Sequence, residues 1–252
     1  MHTEDIVTGL KAIGLAGIAD KWGDFLPHAE VLKSIIDIQS QWQKDKKFNR
    51  LKRQSLIGAF KPLAEFDWSW PRKINKALVL EAIELRFMGS KGNIILVGGN
   101  GSGKTMIAKN IGWENIIRGN STLFISASAL LNDLQACTET RRLESRLKYY
   151  SNYSLLVIDE LGYLSFASRH ADLLFQLIDR RHEKHSTVIT TNKPFSEWNT
   201  IFPNSASVGA MIDRLIQYGD VIAIDADSYR LKIAQERSEI KKNMHNKKVL
   251  SK

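Results

Sequence analysis

The chain has 252 residues with 43% hydrophobic side chains and a net charge of +9, which suits a globular protein with one α/β domain and a small appendage. No apolar run approaches the roughly 20 residues that a membrane helix needs, and Glu4 and Asp5 stand where a signal peptide carries basic residues, so we expect a cytoplasmic protein. The single cysteine, Cys137, excludes an intramolecular disulfide, and neither it nor the six histidines have the spacing of metal ligands.

Residues 1–71 are predicted to form a separate helical unit. Apolar residues recur at helical spacing between residues 31 and 42, and a basic cluster follows in residues 44–53, with six basic residues and one acidic residue. Such a cluster suits a polyanion such as DNA, but a solvated helix face would carry the same charges, and we weigh these two interpretations equally. The candidate DNA contacts here are Lys46, Lys47, Arg50 and Arg53.

The unit is predicted to end in an aromatic segment, residues 60–71, with Pro62 near its start and Pro71 at its end. Because proline interrupts helices, we expect a linker that packs against the domain that follows. Its aromatic side chains could stack on bases, but for a segment between two domains we favour packing.

From Arg72 onward, helical segments alternate with short apolar runs, which indicates a parallel sheet with helices on both faces. The predicted strands are 93–97, 122–126, 155–159, 187–191 and 221–224. The first predicted helix ends near residue 87. The other predicted helical stretches span 104–118, 127–150, 169–183 and 208–218. Ligands of such sheets lie at the carboxyl ends of the strands, so Gly103, Asp159 and Asn192 can converge on one ligand.

A phosphate-binding loop follows the first of these strands. The pattern G-x-x-x-x-G-K-[ST] is matched between a strand and a helix by Gly98, Gly99, Asn100, Gly101, Ser102, Gly103, Lys104 and Thr105. In this pattern backbone N–H groups converge on phosphates, Lys104 reaches the β- and γ-phosphates, and the Thr105 hydroxyl can bind Mg²⁺. The loop therefore predicts a nucleoside triphosphate site.

Polar side chains at two further strand ends fit the same site. Asp159 ends an apolar strand and can hold Mg²⁺ through its water shell, while the adjacent Glu160 can orient or deprotonate an attacking water. Asn192 follows a strand that could lie between the other two, where it could hold that water or a γ-phosphate oxygen. Any metal is expected to arrive with the nucleotide.

Four segments resemble the IstB family of transposition helper ATPases, which belongs with the DnaC-type helicase loaders in the AAA+ superfamily. They are residues 159–164, 171–178, 191–198 and 228–231, and the resemblance extends from the N-terminal helices to about Lys232. Its most specific parts are the Leu-Gly-Tyr extension after Asp159 and Glu160 and the Pro-Phe-x-Glu-Trp segment after Asn192.

The resemblance implies an α/β fold, an AAA+ P-loop parallel sheet flanked by helices, with a small N-terminal helical domain and little or no C-terminal lid. The implied division is 1–71 for oligomer and DNA contacts, 72–232 for the ATPase domain and 233–252 for a basic tail. By the same resemblance Arg214 would be an arginine finger inserted into a neighbouring subunit's site, and Arg230 a second sensor in its own site. Family members more often have Gly-Pro-Pro-Gly at residues 98–101, which puts nucleotide affinity in question but leaves Lys104 and Thr105 in place.

The implied function is that of an ATPase, using ATP and Mg²⁺, which assembles as a homo-oligomer on double-stranded DNA and assists a partner transposase. A second basic stretch adds Arg142 and Arg146 as candidate DNA contacts. A replicative helicase loader of the DnaC type is the alternative, because it shares the fold and the motifs. A small-molecule kinase would need an acceptor pocket and an arginine-bearing lid in one chain, and no segment offers them.

Overall fold

The structure, a computed structural model, describes residues 3–203 and 205–250, with the backbone alone for residue 3 and residues 240–250. Its contacts divide the chain into two compact units, Met1–Arg53 and Gln54–Lys252. The first unit holds α1 (Thr3–Ala12), α2 (Ala16–Asp20) and α3 (Ala29–Gln54), of which the last residue falls in the second unit. A small apolar core holds the first unit together, formed by Ile6, Leu10, Ala19 and Leu32.

The second unit is built on a six-stranded sheet with the order β1-β6-β2-β5-β4-β3. The strands are β1 (Lys73–Ile74), β2 (Asn93–Gly98), β3 (Thr122–Ser126), β4 (Leu155–Leu161), β5 (Ser186–Thr191) and β6 (Gly219–Asp225). All neighbouring pairs are parallel except β1 and β6, in which Ile74 is paired with Ile224. β5, the strand that precedes Asn192, lies between β2 and β4, as predicted.

The central strands are buried on both faces, so their sequences are continuous apolar runs. Ile94 and Leu96 of β2 point into one core with helices α4 (Lys76–Ile83) and α5 (Lys104–Ile117). Ile95 points to the other face, into a larger core with the remaining helices of that layer. These helices are α6 (Ala127–Gln135), α7 (Thr140–Ser151), α8 (Ser168–Arg181), α9 (Trp198–Ile201) and α10 (Ser207–Ile216).

Two elements differ from the sequence prediction. The stretch 127–150 is not one helix but two, α6 and α7, because a straight helix of that length would extend roughly 36 Å and could not place both halves on the sheet. The break lets Leu134 of α6 and Leu147 of α7 enter the same core. The strand β1 was not predicted, since two residues give no periodicity and the strand exists only by pairing with β6.

The division between the units falls after Arg53, whereas we predicted it after residue 71. Residues 54–71 are joined to the rest of the second unit by several hydrogen bonds. Phe124 of β3 donates its backbone N–H to the Ser55 carbonyl at 2.8 Å, and Leu63 donates its N–H to Asn110 Oδ1 at 2.9 Å. The linker therefore packs against the core of the second unit, and it forms one structural unit with that core.

The predicted C-terminal tail begins within a helix, α11 (Tyr229–Leu250), while residues 251 and 252 lie outside the described part of the chain. Within residues 3–203 and 205–250, no helix has the length and apolar character needed to span a membrane.

Candidate nucleotide-binding site

The phosphate-binding loop joins the end of β2 to the first residue of α5, where free backbone N–H groups of the helix N-terminus favour an anion. Gly101 and Gly103 have positive φ angles of 76° and 99°, a conformation that glycine adopts without a steric penalty. A Cβ atom at Gly103 would lie 2.5 Å from Cε2 of Phe66. The aromatic linker thus packs directly on the loop, and only glycine fits between them.

Lys104 is 4% exposed and lies inside this loop. Its Nζ donates to the carbonyl oxygens of Gly98 and Gly99, each at 2.7 Å. The pKa of Lys104 is lowered to about 8, chiefly by burial and also by the charge of Arg230, while the carboxylates of Asp159 and Glu160 oppose the shift. The ammonium group is thus desolvated without a carboxylate in contact, an environment in which a phosphate would be strongly favoured.

Thr105 and Asp159 stand side by side although 54 residues separate them in the chain. The Thr105 hydroxyl donates to the two carboxylate oxygens of Asp159 at 3.1 and 3.2 Å. A hydroxyl and a carboxylate are the hard oxygen ligands that suit Mg²⁺, which commonly takes few protein ligands and completes its shell with waters and phosphates. The described residues contain no group of three or more His, Cys, Asp or Glu side chains that could hold a metal ion.

Glu160 occupies an irregular position in β4. The pairing of β4 with β5 shifts register between Ile158 and Leu161, and Glu160 has a φ angle of 63°. Bulges of this kind redirect side chains beside active sites, and a positive φ in a residue other than glycine carries strain that the surrounding structure must hold. The bulge turns Glu160 towards the cavity while Asp159 stays buried.

Thr190, in the neighbouring strand β5, ties these two acidic residues together. Its buried hydroxyl donates to Asp159 Oδ1 and accepts the backbone N–H of Glu160 at 2.9 Å. Sequence reasoning missed Thr190, because only the register of β4 against β5 places it beside Asp159. The available signal was the position of Thr190 two residues before Asn192, on the strand next to the one that carries Asp159.

A cavity of about 440 Å³ lies in front of these groups. The loop residues Gly101 to Met106 and Glu160 form its floor, and the linker and α11 form its sides. The lining residues that we did not predict are Lys61, Glu65, Phe66, Asp67, Trp70, Met106, Tyr163, Tyr229, Ile233 and Arg237. Arg230, Ile233 and Arg237 recur at helical spacing on one face of α11, so this spacing could have predicted Arg237 as a neighbour of Arg230.

The linker and the start of α11 are joined by polar contacts. Trp70 donates its indole N–H to the Asp227 carbonyl at 2.9 Å, and Lys232 pairs with Asp67 at 3.4 Å. The Lys232 ammonium also lies 4.5 Å from the centroid of a Trp70 ring. These contacts hold α11 along the side of the cavity and with it Arg230.

Two of the predicted catalytic residues, Asn192 and Arg214, do not line the cavity. Asn192 packs against Gly162, where an added Cβ would lie 2.8 Å from Asn192 Oδ1, and this oxygen is buried without a hydrogen-bond partner in the described part of the chain. Arg214, on α10, pairs with Asp179 of α8 at 2.6 Å. The structure thus brings together Lys104, Thr105, Asp159, Glu160 and Arg230 but not these two residues.

The predicted DNA contacts fall into two groups. Lys46, Lys47, Arg50 and Arg53 are exposed on α3, and none has an ion-pair partner among the described residues. Arg142 is likewise exposed on α7. Arg146 differs from the prediction, because its guanidinium pairs with Asp133 at 2.6 Å and donates to the Tyr150 hydroxyl at 3.0 Å. Its charge is compensated within the fold.

Comparison with known proteins places these features in a family. The family described as IstB-like ATP binding protein matches residues 16–237. One relative is named as an ATP-binding protein of insertion sequence IS232, from Bacillus thuringiensis subsp. berliner. It is 35% identical to this chain, over 91% of this chain and 95% of the relative. The corresponding protein of insertion sequence IS5376 from Geobacillus stearothermophilus is 32% identical, over 86% of this chain and 87% of the relative.

The fold also matches solved structures. The crystal structure of the DnaC helicase loader superposes with a TM-score of 0.52 at 18% identity, over 70% of this chain and 99% of that chain. At this identity the likeness concerns the fold alone. It confirms the predicted α/β fold, a mostly parallel sheet flanked by helices.

Proposed function

Because the chain belongs to the family of IstB-like ATP binding proteins, we propose that it hydrolyses ATP with Mg²⁺ and uses this reaction to control its assembly on DNA in transposition. The observation that carries the proposal is that Lys104, Thr105 and Glu160 line one cavity, with Asp159 hydrogen-bonded to Thr105. A loop that bound phosphate only for structure would not require a metal-binding pair and a second carboxylate in front of it.

Each residue has a separate role in the proposed reaction. Lys104 would exchange its contacts with the Gly98 and Gly99 carbonyls for the β- and γ-phosphate oxygens. Thr105 and Asp159 would hold Mg²⁺, which supplies charge neutralisation on the phosphates when bound. Glu160 would orient the attacking water and accept its proton, and Arg230 would bind phosphate from the side of α11. Thr190 would keep both carboxylates in place.

The role proposed for Asn192 needs a rearrangement. Its amide oxygen faces Gly162 in the present arrangement rather than the cavity. An unpartnered buried oxygen is costly, which supports a change of position when nucleotide binds.

We assign Arg214 to the neighbouring subunit's site. It does not line its own cavity, and a guanidinium supplied in trans makes hydrolysis depend on assembly. The surface of α3 is the proposed DNA contact, since four exposed basic residues without carboxylate partners suit phosphate binding. Arg142 belongs to the proposal as well, whereas the ion pair of Arg146 argues against a direct contact.

The transposase partner is proposed from the relatives, which are named as proteins of insertion sequences. A replicative helicase loader is the second candidate, supported only by the shared fold. A pull-down with an insertion-sequence transposase and with a replicative helicase as separate baits distinguishes the two candidates. Capture of the helicase alone would reject the transposition role.

The test of the ATPase mixes two inactive variants. Arg214→Ala keeps an intact cavity, and Lys104→Ala keeps an intact Arg214. At a mixed interface the cavity of the first variant meets the arginine of the second, so we expect partial ATPase activity to return. If the two variants assemble together, as shown by co-purification with different tags, and stay inactive, Arg214 does not act between subunits.

A further inference from the structure

Two acidic residues of α8 accept hydrogen bonds from α10, one near each end of α10. Ser207, the first residue of α10, donates its hydroxyl to Asp172 at 2.5 Å. Near the other end of α10, the Nε of Arg214 donates to Asp179 at 2.6 Å. Asp172 and Asp179 are seven residues apart, two turns of one helix, and so they lie on the same face of α8.

Three contacts hold the Arg214 guanidinium. The carboxylate of Asp179 takes the Nε edge, and the Ala210 carbonyl accepts from Nη1 at 3.3 Å. The ring of Phe175 lies alongside, with its centroid 4.9 Å from Arg214 Cζ. Phe175 and Asp179 are four residues apart, so α8 presents a ring and a carboxylate to the same guanidinium.

These contacts leave one part of the guanidinium unused. Nη2 has no hydrogen-bond partner within the described residues, and the Arg214 side chain is 32% exposed. An exposed arginine without such support samples many rotamers, which costs conformational entropy when it binds a phosphate. Here the Nε edge is anchored and the outer edge remains available.

We propose that Asp179 is a positioning residue for Arg214, which fixes the guanidinium so that its free edge can enter the nucleotide site of an adjacent subunit. This inference rests on the proposed function, because it requires Arg214 to act in trans. Phe175 supports the face of the guanidinium, and Asp172 fixes the other end of α10. Asp179 itself touches neither nucleotide nor water.

The experiment compares Asp179→Asn with a matched control at the ion pair made by the next residue of α8, Arg180. Arg180 pairs with Glu144 at 2.7 Å, and this ion pair is about as exposed as that of Arg214 and Asp179. Glu144→Gln therefore removes an equivalent carboxylate without touching Arg214. Both variants are assayed for ATP affinity, for thermal melting, and for ATP turnover without DNA at protein concentrations where the wild type assembles.

We expect Asp179→Asn to bind ATP normally and to melt within a few degrees of Glu144→Gln, but to lower turnover about ten- to a hundred-fold, as misplaced catalytic groups do. Asp179→Glu should recover part of the turnover. Mixing Asp179→Asn with Lys104→Ala should restore activity, whereas mixing it with Arg214→Ala should not, because both variants then lack a working arginine.

The outcomes separate the two levels of inference. If Arg214→Ala and Lys104→Ala complement each other but Asp179→Asn turns over ATP like Glu144→Gln, the positioning role is rejected and the proposed function stands. An increase in turnover in Asp179→Asn would also reject positioning, because Asp179 would then restrain Arg214 instead of preparing it. If Arg214→Ala retains full turnover, the proposed function fails first.

Discussion

Two cations are buried at opposite ends of the parallel strands, and they differ in what surrounds them. Arg181, at the end of α8, is 1% exposed and lies beside the amino end of β5, whereas Lys104 follows the carboxyl end of β2. Burial lowers the pKa of both groups, to about 9 for Arg181 and to about 8 for Lys104. Desolvation alone therefore does not separate a structural cation from a functional one.

The difference lies in the acceptors and in the space in front of them. Arg181 donates to oxygens from two segments, residues 150–153 and 186–187, which are the carbonyls of Tyr150, Ser151, Tyr153 and Ser186 and the hydroxyl of Thr187. Its planar fork is filled by acceptors that have no other position to take. Lys104 holds two loop carbonyls by a single flexible ammonium and faces a cavity, so a phosphate can replace them.

The largest expected effect tests the functional cation. Lys104→Ala should reduce nucleotide binding below detection, because no other lysine reaches the phosphate position from the loop. The fold should remain, since the core does not depend on this side chain. Fluorescent ATP titration and circular dichroism measure the two properties. Tight nucleotide binding by this variant would remove Lys104 from the site.

Glu160→Gln should separate binding from hydrolysis at the same site. The amide keeps the shape of the side chain and leaves Thr105 and Asp159 intact, so ATP and Mg²⁺ affinity should change little. Turnover should fall by about 10² or more, the usual contribution of a general base. Single-turnover phosphate release measures it. An unchanged rate would exclude Glu160 as the group that activates water.

Arg181→Met should lower stability and leave ATP binding intact, whereas Lys104→Ala should do the reverse. Removing the guanidinium leaves buried carbonyl oxygens without a donor, and we expect a loss of about 3 kcal/mol or more in unfolding free energy. Arg181→Lys should lie between, because an ammonium has fewer donors than a guanidinium and cannot satisfy all five acceptors. Urea unfolding gives the values. The folded fraction should still bind ATP, and a variant of normal stability would refute the anchoring role.

The same distinction applies to surface arginines of α7. Arg142 is exposed, while Arg146 is paired with Asp133, so only Arg142→Gln should lower the salt dependence of DNA binding. Each lost phosphate contact should reduce the slope of log K against log salt by roughly 0.9. Arg146→Gln serves as the matched control. Equal slopes for both variants would show that the ion pair does not decide which arginine meets DNA.

The smallest expected effect concerns pH. Lys104 has a lowered pKa of about 8 in the free protein, and bound phosphate favours its charged form, so ATP binding should take up a fraction of a proton near pH 8. Affinity should be level below pH 8 and fall above it, as Lys104 loses its proton in the free state. Calorimetry in buffers of different ionisation enthalpy measures the uptake. Proton release on binding would have the wrong sign for this assignment.

Local patterns carried most of the fold prediction. The central strands are apolar runs bounded by turns, and the phosphate loop is a contiguous motif, so both were readable without tertiary contacts. The same holds for Asp159 and Glu160, which are adjacent in the chain. The helical break between α6 and α7 was not readable, because it is set by the extent of the sheet on which both helices pack.

Long-range contacts decided the rest. Thr190 joins the site through the register of β5 against β4, and Phe66 through its packing on Gly103. Arg214 and Asp179 meet because α8 and α10 pack side by side, although 35 residues separate them. The sequence by itself determined which chemical groups the protein carries at its strand ends. Only the tertiary structure decided which cations face a cavity and which are used up by carbonyl oxygens, because that depends on acceptors from distant segments that burial brings together.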